Sequence, residues 1–214
     1  MLAVIFANGD LNPPPDLSPR LAAASLTLAA DGGARHCRAL GVRPHVVIGD
    51  LDSLGAAQQA ELESQGAQII SHPADKDQTD LELALLYAAQ AGANEIQVLA
   101  GLGRRWDHSI ANLLLAAKGQ FASLRILFLD GKQRLFVIHS AANLEAEPGE
   151  RVSLLPLGGD AQGVSTRGLQ YALNTETLSF GSSRGVSNVV VDVGAEVRLT
   201  SGFLLCVISP GTMD

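Results

Sequence analysis

The chain has 214 residues, 47% of them hydrophobic, enough to bury the core of one compact domain or two small ones. Its formal charge of −7, from 22 acidic against 15 basic residues, excludes a nonspecific nucleic-acid binder, which needs a basic face to displace counterions. No apolar run approaches the ~20 residues that span a bilayer, and the apolar start lacks a basic leader, so the sequence reads as a cytoplasmic protein with neither nucleic-acid nor membrane partners.

In chain order, residues 2–7 predict a first strand, and Pro13-Pro14-Pro15 a stiff surface loop. A second strand, 26–30, runs into Asp31-Gly32-Gly33 and a helix near 33–40 that carries Cys37. Glycines there let a phosphate or ribose approach the backbone at the positive end of a helix dipole; a plain turn capped by Asp31 is the alternative. Cys37 and the distant Cys206 lack the spacing of a zinc site or any support for a disulfide, and read as small buried hydrophobes.

The strand 46–48 ends in Gly49-Asp50-Leu51-Asp52-Ser53. Two carboxylates two residues apart in a tight turn can aim at one ion, and Gly49 lets it close to the chain; an acidic surface turn is the competing reading. A helix over 56–65 and a strand over 68–71 lead to Asp75-Lys76-Asp77-Gln78-Thr79-Asp80 and a helix over 79–91. Thr79 is its N-cap and Glu82 the capping-box partner. Capping leaves Lys76, Asp77 and Asp80 unexplained as a group: Lys76 can meet phosphate while the aspartates hold metal, although a helix dipole favours acidic residues at this end in any case.

A strand over 95–100 passes through Gly101 and Gly103 to Arg104-Arg105-Trp106-Asp107-His108 and a helix over 108–118. The planar fork of arginine binds phosphate oxygens in pairs. Asp107 as a cap and His108 bonded to its neighbours are the structural alternatives, and Trp106 reads as core packing. Gly41, Gly66, Gly92 and Gly119 fall just past the four helices, as C-terminal caps do. After a last strand at 124–129 the texture changes to short β-rich runs at 134–139, 151–155, 187–193, 196–200 and 203–208.

This alternation predicts an α/β N-terminal domain, residues 1–131, with a mostly parallel, Rossmann-like sheet, and a small all-β sandwich domain, residues 132–214. An open parallel sheet gathers its ligand site at the carboxyl ends of its strands, where the four acidic clusters would converge. Carboxylates meeting there need a hard cation, and Mg²⁺ is the economical one.

Ala30-Asp31-Gly32-Gly33, Gly49-Asp50-Leu51-Asp52-Ser53, Asp75 to Asp80, and Gly101-Leu102-Gly103-Arg104-Arg105-Trp106-Asp107-His108-Ser109-Ile110-Ala111-Asn112 stand in an order and spacing that resemble those of the thiamine pyrophosphokinase family. Gly168-Leu169-Gln170-Tyr171, Phe180-Gly181 and Ser187-Asn188 resemble its C-terminal signature, so the likeness covers nearly the whole chain. The resemblance implies a nucleotide-binding catalytic domain followed by a thiamine-binding β-sandwich, in a homodimer with thiamine held where two subunits meet. It implies Mg²⁺-dependent transfer of the β,γ-diphosphate of ATP to the hydroxyethyl oxygen of thiamine, releasing AMP. By motif position, Asp50, Asp52, Asp77 and Asp80 would hold metal, and Asp31, Gly32, Gly33, Lys76, Arg105 and His108 would line the nucleotide site. Asp107, Asp80 and Arg105 would act in catalysis, with Asp107 orienting or deprotonating the attacking hydroxyl. Tyr171, Ser187 and Asn188 would contact thiamine. Tyr171 stands where the family commonly has Trp and can still stack on a cationic ring. Competing functions are a diphosphokinase for another small alcohol, a metal-dependent phosphohydrolase, and a noncatalytic nucleotide- or thiamine-binding module; the number of metal-competent carboxylates beside Arg105 favours catalysis.

Overall fold

A computed structural model describes residues 1–211 and divides the chain into two compact units, one of Met1–Leu115 with Ser123–Gly131, the other of Ala116–Ala122 with the chain from Lys132 onward. The first unit runs β1 (Leu2–Phe6), α1 (Leu17–Ala23), β2 (Leu26–Ala30), α2 (Ala34–Ala39), β3 (Val46–Gly49), α3 (Ala56–Ser64), β4 (Gln68–Ser71), α4 (Asp80–Gln90), β5 (Glu95–Leu99), α5 (Trp106–Leu115) and β6 (Arg125–Asp130). Its strands lie in the order β6-β5-β1-β2-β3-β4, all parallel. Such strands are covered on both faces, which is why they read as unbroken Val, Ile, Leu and Ala rather than as alternation. All four residues of β3 and the last four of β1 and β2 are buried, whereas β4, at the edge, is not.

From β1 the chain winds outward through β2 and β3 to β4, then returns with β5 to the other side of β1. The topological switch point therefore lies between β1 and β5, and the loops leaving their carboxyl ends frame the crevice where an open α/β sheet takes its ligand. Helix α4 is anchored by Leu81, Ala84, Leu85 and Ala88, a buried stripe at helical spacing that packs on β2 and β3.

The second unit is antiparallel throughout: β7 (Gln133–Ile138), β8 (Ala141–Asn143), β9 (Arg151–Pro156), β10 (Ala161–Arg167), β11 (Glu176–Leu178), β12 (Asn188–Val189), β13 (Glu196–Arg198) and β14 (Leu204–Ser209). They form one sheet in the order β12-β9-β14-β7 and another in the order β11-β10-β13-β8. Alternate residues of β9 are buried, and Val152, Leu154, Val164, Val197 and Leu204 form the fully buried centre.

Several local expectations change. Helix α1 is unanticipated because none of its residues is buried, so no apolar stripe announces it. Gly119 opens a 3₁₀ turn, Gly119–Phe121, instead of capping a helix, since α5 begins at Trp106 and has ended by Leu115. Trp106 is not core packing: it is 82% exposed. Cys37 and Cys206 are buried and unpaired, and burial pushes the Cys37 thiol up to about 12 and raises that of Cys206 as well. Among the described residues no helix is long and apolar enough to cross a membrane.

Candidate active site

Two strand ends and one helix start deliver the acidic cluster. Asp31 follows β2 with φ of +44°, a left-handed conformation that aspartate tolerates, and its buried carboxylate accepts a hydrogen bond from Ser53 Oγ at 2.8 Å. Asp50 follows β3 directly. Asp80 is the first residue of α4, fixed by Thr79, whose Oγ1 accepts from Glu82 N–H at 3.2 Å. Between them stands Gly49, where a Cβ would lie 2.9 Å from Asp31 Cβ and 3.2 Å from Asp80 Cγ; the missing side chain is what lets the two carboxylates close. Asp31, Asp50 and Asp80 each bring an oxygen within 4.8 Å of the other two.

Lys76 Nζ stands 3.0 Å from Asp80 Oδ1, but not in hydrogen-bonding geometry, and this buried oxygen carries no hydrogen bond. Asp52 is exposed at the rim: its N–H donates to Asp50 Oδ1 at 3.3 Å, and its carboxyl is raised above the usual range by Asp50 first and Asp31 next. Leu51 makes this turn possible with φ of +62°, a rare conformation for a branched side chain, while burying its apolar end. Asp77 is exposed and lies outside the trio. The sequence reading gave the metal to Asp50, Asp52, Asp77 and Asp80 and set Asp31 on the nucleotide side; the geometry groups Asp31 with Asp50 and Asp80, apart from Asp77.

Beside the trio a cleft of about 610 Å³ opens at the switch point. Asn8 and Gly9 from the β1 loop, Lys76, Arg104, Arg105, His108 and Asn112 line it together with Asp50 and Asp80. Asn112 is buried and donates to Gly101 O at 2.7 Å, and Ser109 Oγ accepts from Gly103 N–H at 3.0 Å, so the start of α5 braces the glycine-rich loop that presents the arginines. Asn8 and Gly9 were not singled out in the sequence, and Asn112 entered only as the last residue of a motif, with no role. The available signal was position alone: Asn8 and Gly9 follow a strand as the acidic clusters do, but carry no charge.

Arg105 holds Asp107 with both arms, Nε to Oδ1 at 3.1 Å and Nη2 to Oδ2 at 2.5 Å. These bonds keep the Asp107 carboxyl below the usual range and raise the Arg105 pKa. A carboxylate held this way is a weak base, and Asp107 is not among the residues lining the cleft.

In the second unit Tyr171 is 66% exposed, with its main chain clasped by Asn188: Tyr171 N–H donates to Asn188 Oδ1 at 3.0 Å and Asn188 Nδ2 donates to Tyr171 O at 2.8 Å. Asn188 Oδ1 also accepts from Val189 N–H at 2.9 Å. Ser187, with φ of +66°, accepts from Arg151 Nη1 at 3.2 Å, and its N–H donates to Ser153 Oγ at 3.0 Å. Asn188 thus sets the Tyr171 loop, the segment on which the sequence reading places the thiamine contacts.

Residues 18–128 match the family model described as thiamin pyrophosphokinase, catalytic domain, and residues 138–204 that described as thiamin pyrophosphokinase, vitamin B1 binding domain. The thiamine pyrophosphokinase of Bacillus subtilis strain 168 is 27% identical over 205 residues, which cover 95% of this chain and 96% of that protein. Thiamine pyrophosphokinase 1 of Arabidopsis thaliana is 30% identical over 210 residues, covering 85% of this chain and 77% of its own. The crystal structure of the Bacillus subtilis thiamine pyrophosphokinase superposes with a TM-score of 0.86 at 25% identity, covering 99% of this chain and 100% of that one.

Proposed function

Because the chain belongs to the thiamine pyrophosphokinase family, we propose that it transfers a diphosphate group from ATP to the hydroxyl of thiamine, giving thiamine diphosphate and AMP. The observation that carries this reading is the convergence of Asp31, Asp50 and Asp80 within 4.8 Å beside a cleft lined by Lys76, Arg104 and Arg105. Three carboxylates at that spacing repel one another, and the Lys76 ammonium 3.0 Å from the buried Asp80 Oδ1 offsets only one of their three charges. An all-oxygen donor set of this kind fits Mg²⁺. Asp31, Asp50 and Asp80 would hold the ion, with Asp52 beside them adding negative potential.

Bound there, Mg²⁺ would supply charge neutralisation for the phosphate oxygens of the donor. The chain's own part is positioning and further neutralisation, which is most of what phosphoryl-type transfer asks of a protein. Arg104, Arg105, Lys76 and His108 face the cleft and would meet the phosphates. Gly32 and Gly33 lead from the acidic cluster into α2, and the missing side chains seat this turn against β1, since a Cβ would meet Asn8 Oδ1 at 2.5 Å from Gly32 and Phe6 O at 1.9 Å from Gly33. In the reaction the thiamine oxygen bonds to the β-phosphorus, the bond from that phosphorus to the α,β-bridging oxygen breaks, AMP leaves with that oxygen, and the hydroxyl proton is released. With both its oxygens on Arg105, Asp107 acts by aiming that guanidinium rather than by taking the proton. Tyr171 would offer its ring face to a cationic substrate. A homodimer with thiamine between its subunits is the assembly this reading carries with it.

Phosphorus NMR of the purified protein with ATP, Mg²⁺ and thiamine, beside controls lacking thiamine or metal, tests the proposal. Thiamine-dependent AMP and thiamine diphosphate are expected. ADP or free phosphate would instead point to another transferase or a hydrolase, and unchanged ATP to a binding module.

A further inference from the structure

The loop after β1 is held from two sides, and only one of them belongs to the motifs discussed so far. Toward the β5 loop, Gly9 N–H donates to Ala100 O at 2.7 Å and Asp10 N–H to Leu102 O at 3.0 Å; a Cβ on Gly9 would lie 2.4 Å from Leu102 O, so no larger residue fits. From α2, two consecutive side chains reach across. Arg35 Nη2 donates to the main-chain oxygens of Asn8 and Gly9, each at 2.9 Å, while Nη1 donates to Asn8 Oδ1. His36 Nε2 lies 3.0 Å from Gly9 O. A carbonyl only accepts, so the His36 proton sits on Nε2. Burial lowers the His36 pKa, which keeps the ring neutral and this tautomer in place near pH 7.

Asn8 and Gly9 line the cleft and Arg35 does not. We propose that Arg35 and His36 are positioning residues for the phosphate-bearing donor, acting through the Asn8-Gly9 loop. They tie the loop's carbonyl oxygens to N–H donors, so that these partial negative charges are neutralised beside a site built for a polyanion, and they fix the edge against which the donor is placed. The guanidinium fork is what the task requires, because one residue must span two successive carbonyls and a side-chain amide. A lysine keeps the charge but cannot make that span. Arg35 stands near Arg104 as well, and burial first, then this second cation, lower its pKa. Two guanidinium groups brought together at the edge of the cleft add positive potential there.

The inference rests on reading the cleft as the donor site, so its test includes two measurements that do not depend on turnover. Arg35→Lys, Arg35→Ala, His36→Ala and His36→Gln are compared with wild type by hydrogen exchange, by calorimetric titration with Mg-ATP in the absence of thiamine, and by steady-state kinetics. Both Arg35 variants should speed exchange of the Gly9 and Asp10 amides while leaving Val4 and Ile5 protected. Mg-ATP affinity should fall, and the KM for ATP should rise, by about ten-fold, as for loss of one charge-assisted hydrogen bond, with the KM for thiamine unchanged. His36→Gln, which retains an N–H donor, should sit closer to wild type than His36→Ala. Unchanged amide exchange in Arg35→Lys would overturn the proposal, as would a loosened loop with unaltered Mg-ATP affinity or with both KM values rising together. If wild type forms no thiamine diphosphate, the functional reading fails by itself, and exchange and Mg-ATP affinity still decide whether the loop positions a nucleotide.

Discussion

Asp31, Asp50 and Asp80 meet although 49 positions separate the first from the last, and the strain of that meeting shows in Asp52, whose carboxyl is raised by Asp50 and then Asp31. A carboxyl whose folded pKa is raised binds its proton more tightly in the fold. The stability this confers is present at low pH and is lost as pH rises from the ordinary aspartate range through the folded pKa. At neutral pH the ionised Asp52 beside Asp50 and Asp31 therefore weighs against folding, and a cation held among these carboxylates would offset it. Saturating Mg²⁺ at pH 7.5 should raise the melting temperature by roughly 5–10 °C, the linkage effect at about 100 times the Kd for a chain of this size. The rise should shrink near pH 4 and vanish in Asp50→Asn, and a melting temperature indifferent to Mg²⁺ would dismiss the trio as a metal site. Asp107→Asn is the second test at this scale. If Asp107 aims Arg105, the variant should lose about ten-fold in kcat/KM with a higher KM for ATP; if it were the base, kcat alone would collapse. Sequence spacing shows that Arg105 and Asp107 are neighbours but not that both carboxylate oxygens are taken. It exposes Asp50 and Asp80 as candidates, while Arg35 and Asn8 stay silent because their roles lie in hydrogen bonds between residues 27 positions apart.

The elements of the first unit were legible because each carries its own signal. Residues 26–30 and 68–71 were read at the same bounds the structure gives β2 and β4, and Gly41, Gly66 and Gly92 sit past α2, α3 and α4 with φ of +65°, +93° and +89°. Thr79 was legible as a cap because the cap is local. Thr79→Ala should cost about 1 kcal/mol, seen as a fall of roughly 2–4 °C in thermal unfolding by circular dichroism, with Thr79→Ser close to wild type. Since Asp80 is the next residue, Thr79→Ala should also weaken the Mg²⁺-induced rise in melting temperature; an intact rise would mean that Asp80 is placed by its own packing and not by the cap. The second unit was harder to read. β10 is the sequence Ala161-Gln162-Gly163-Val164-Ser165-Thr166-Arg167, with only Ala161 and Val164 buried. Its pairing with β11 shifts register between those two residues. There Gly163 adopts φ of +64°, and a Cβ would lie 2.4 Å from Thr200 Oγ1. A strand that bulges breaks the period of two by which strands are recognised. Residues 187–193 look like a long apolar strand but yield only the two residues of β12, because Ser187 turns the chain at its start and Val190 leaves the ladder to bridge Leu169.

At the scale of the molecule, the chain leaves apolar surface where an isolated subunit gains nothing from it. Trp106, Ile110 and Leu114 are spaced four apart on α5 and are 82%, 56% and 46% exposed, a continuous stripe on a helix whose other side carries Ser109 and Asn112 into the fold. The sequence hid this, since apolar residues at helical spacing ordinarily mark the buried face, and Trp106 was read so. The stripe begins beside Arg105 and His108, which line the cleft, so a second subunit docked on it would close on the site from outside the chain. If thiamine is held between two subunits, as the proposed function has it, assembly and substrate affinity become one experiment. Sedimentation velocity should find wild type at twice the chain mass of 22.3 kDa, and Ile110→Glu, which places a charge at the centre of the stripe, at the single-chain mass. Because Ile110 is exposed, the variant should melt as a folded protein, so a loss of assembly is not a loss of fold. Thiamine affinity should then drop with the dimer and recover at protein concentrations that restore it. An Ile110→Glu protein that remains dimeric would move the interface elsewhere, and one that is monomeric but binds thiamine as tightly as wild type would place the whole acceptor site within a single chain.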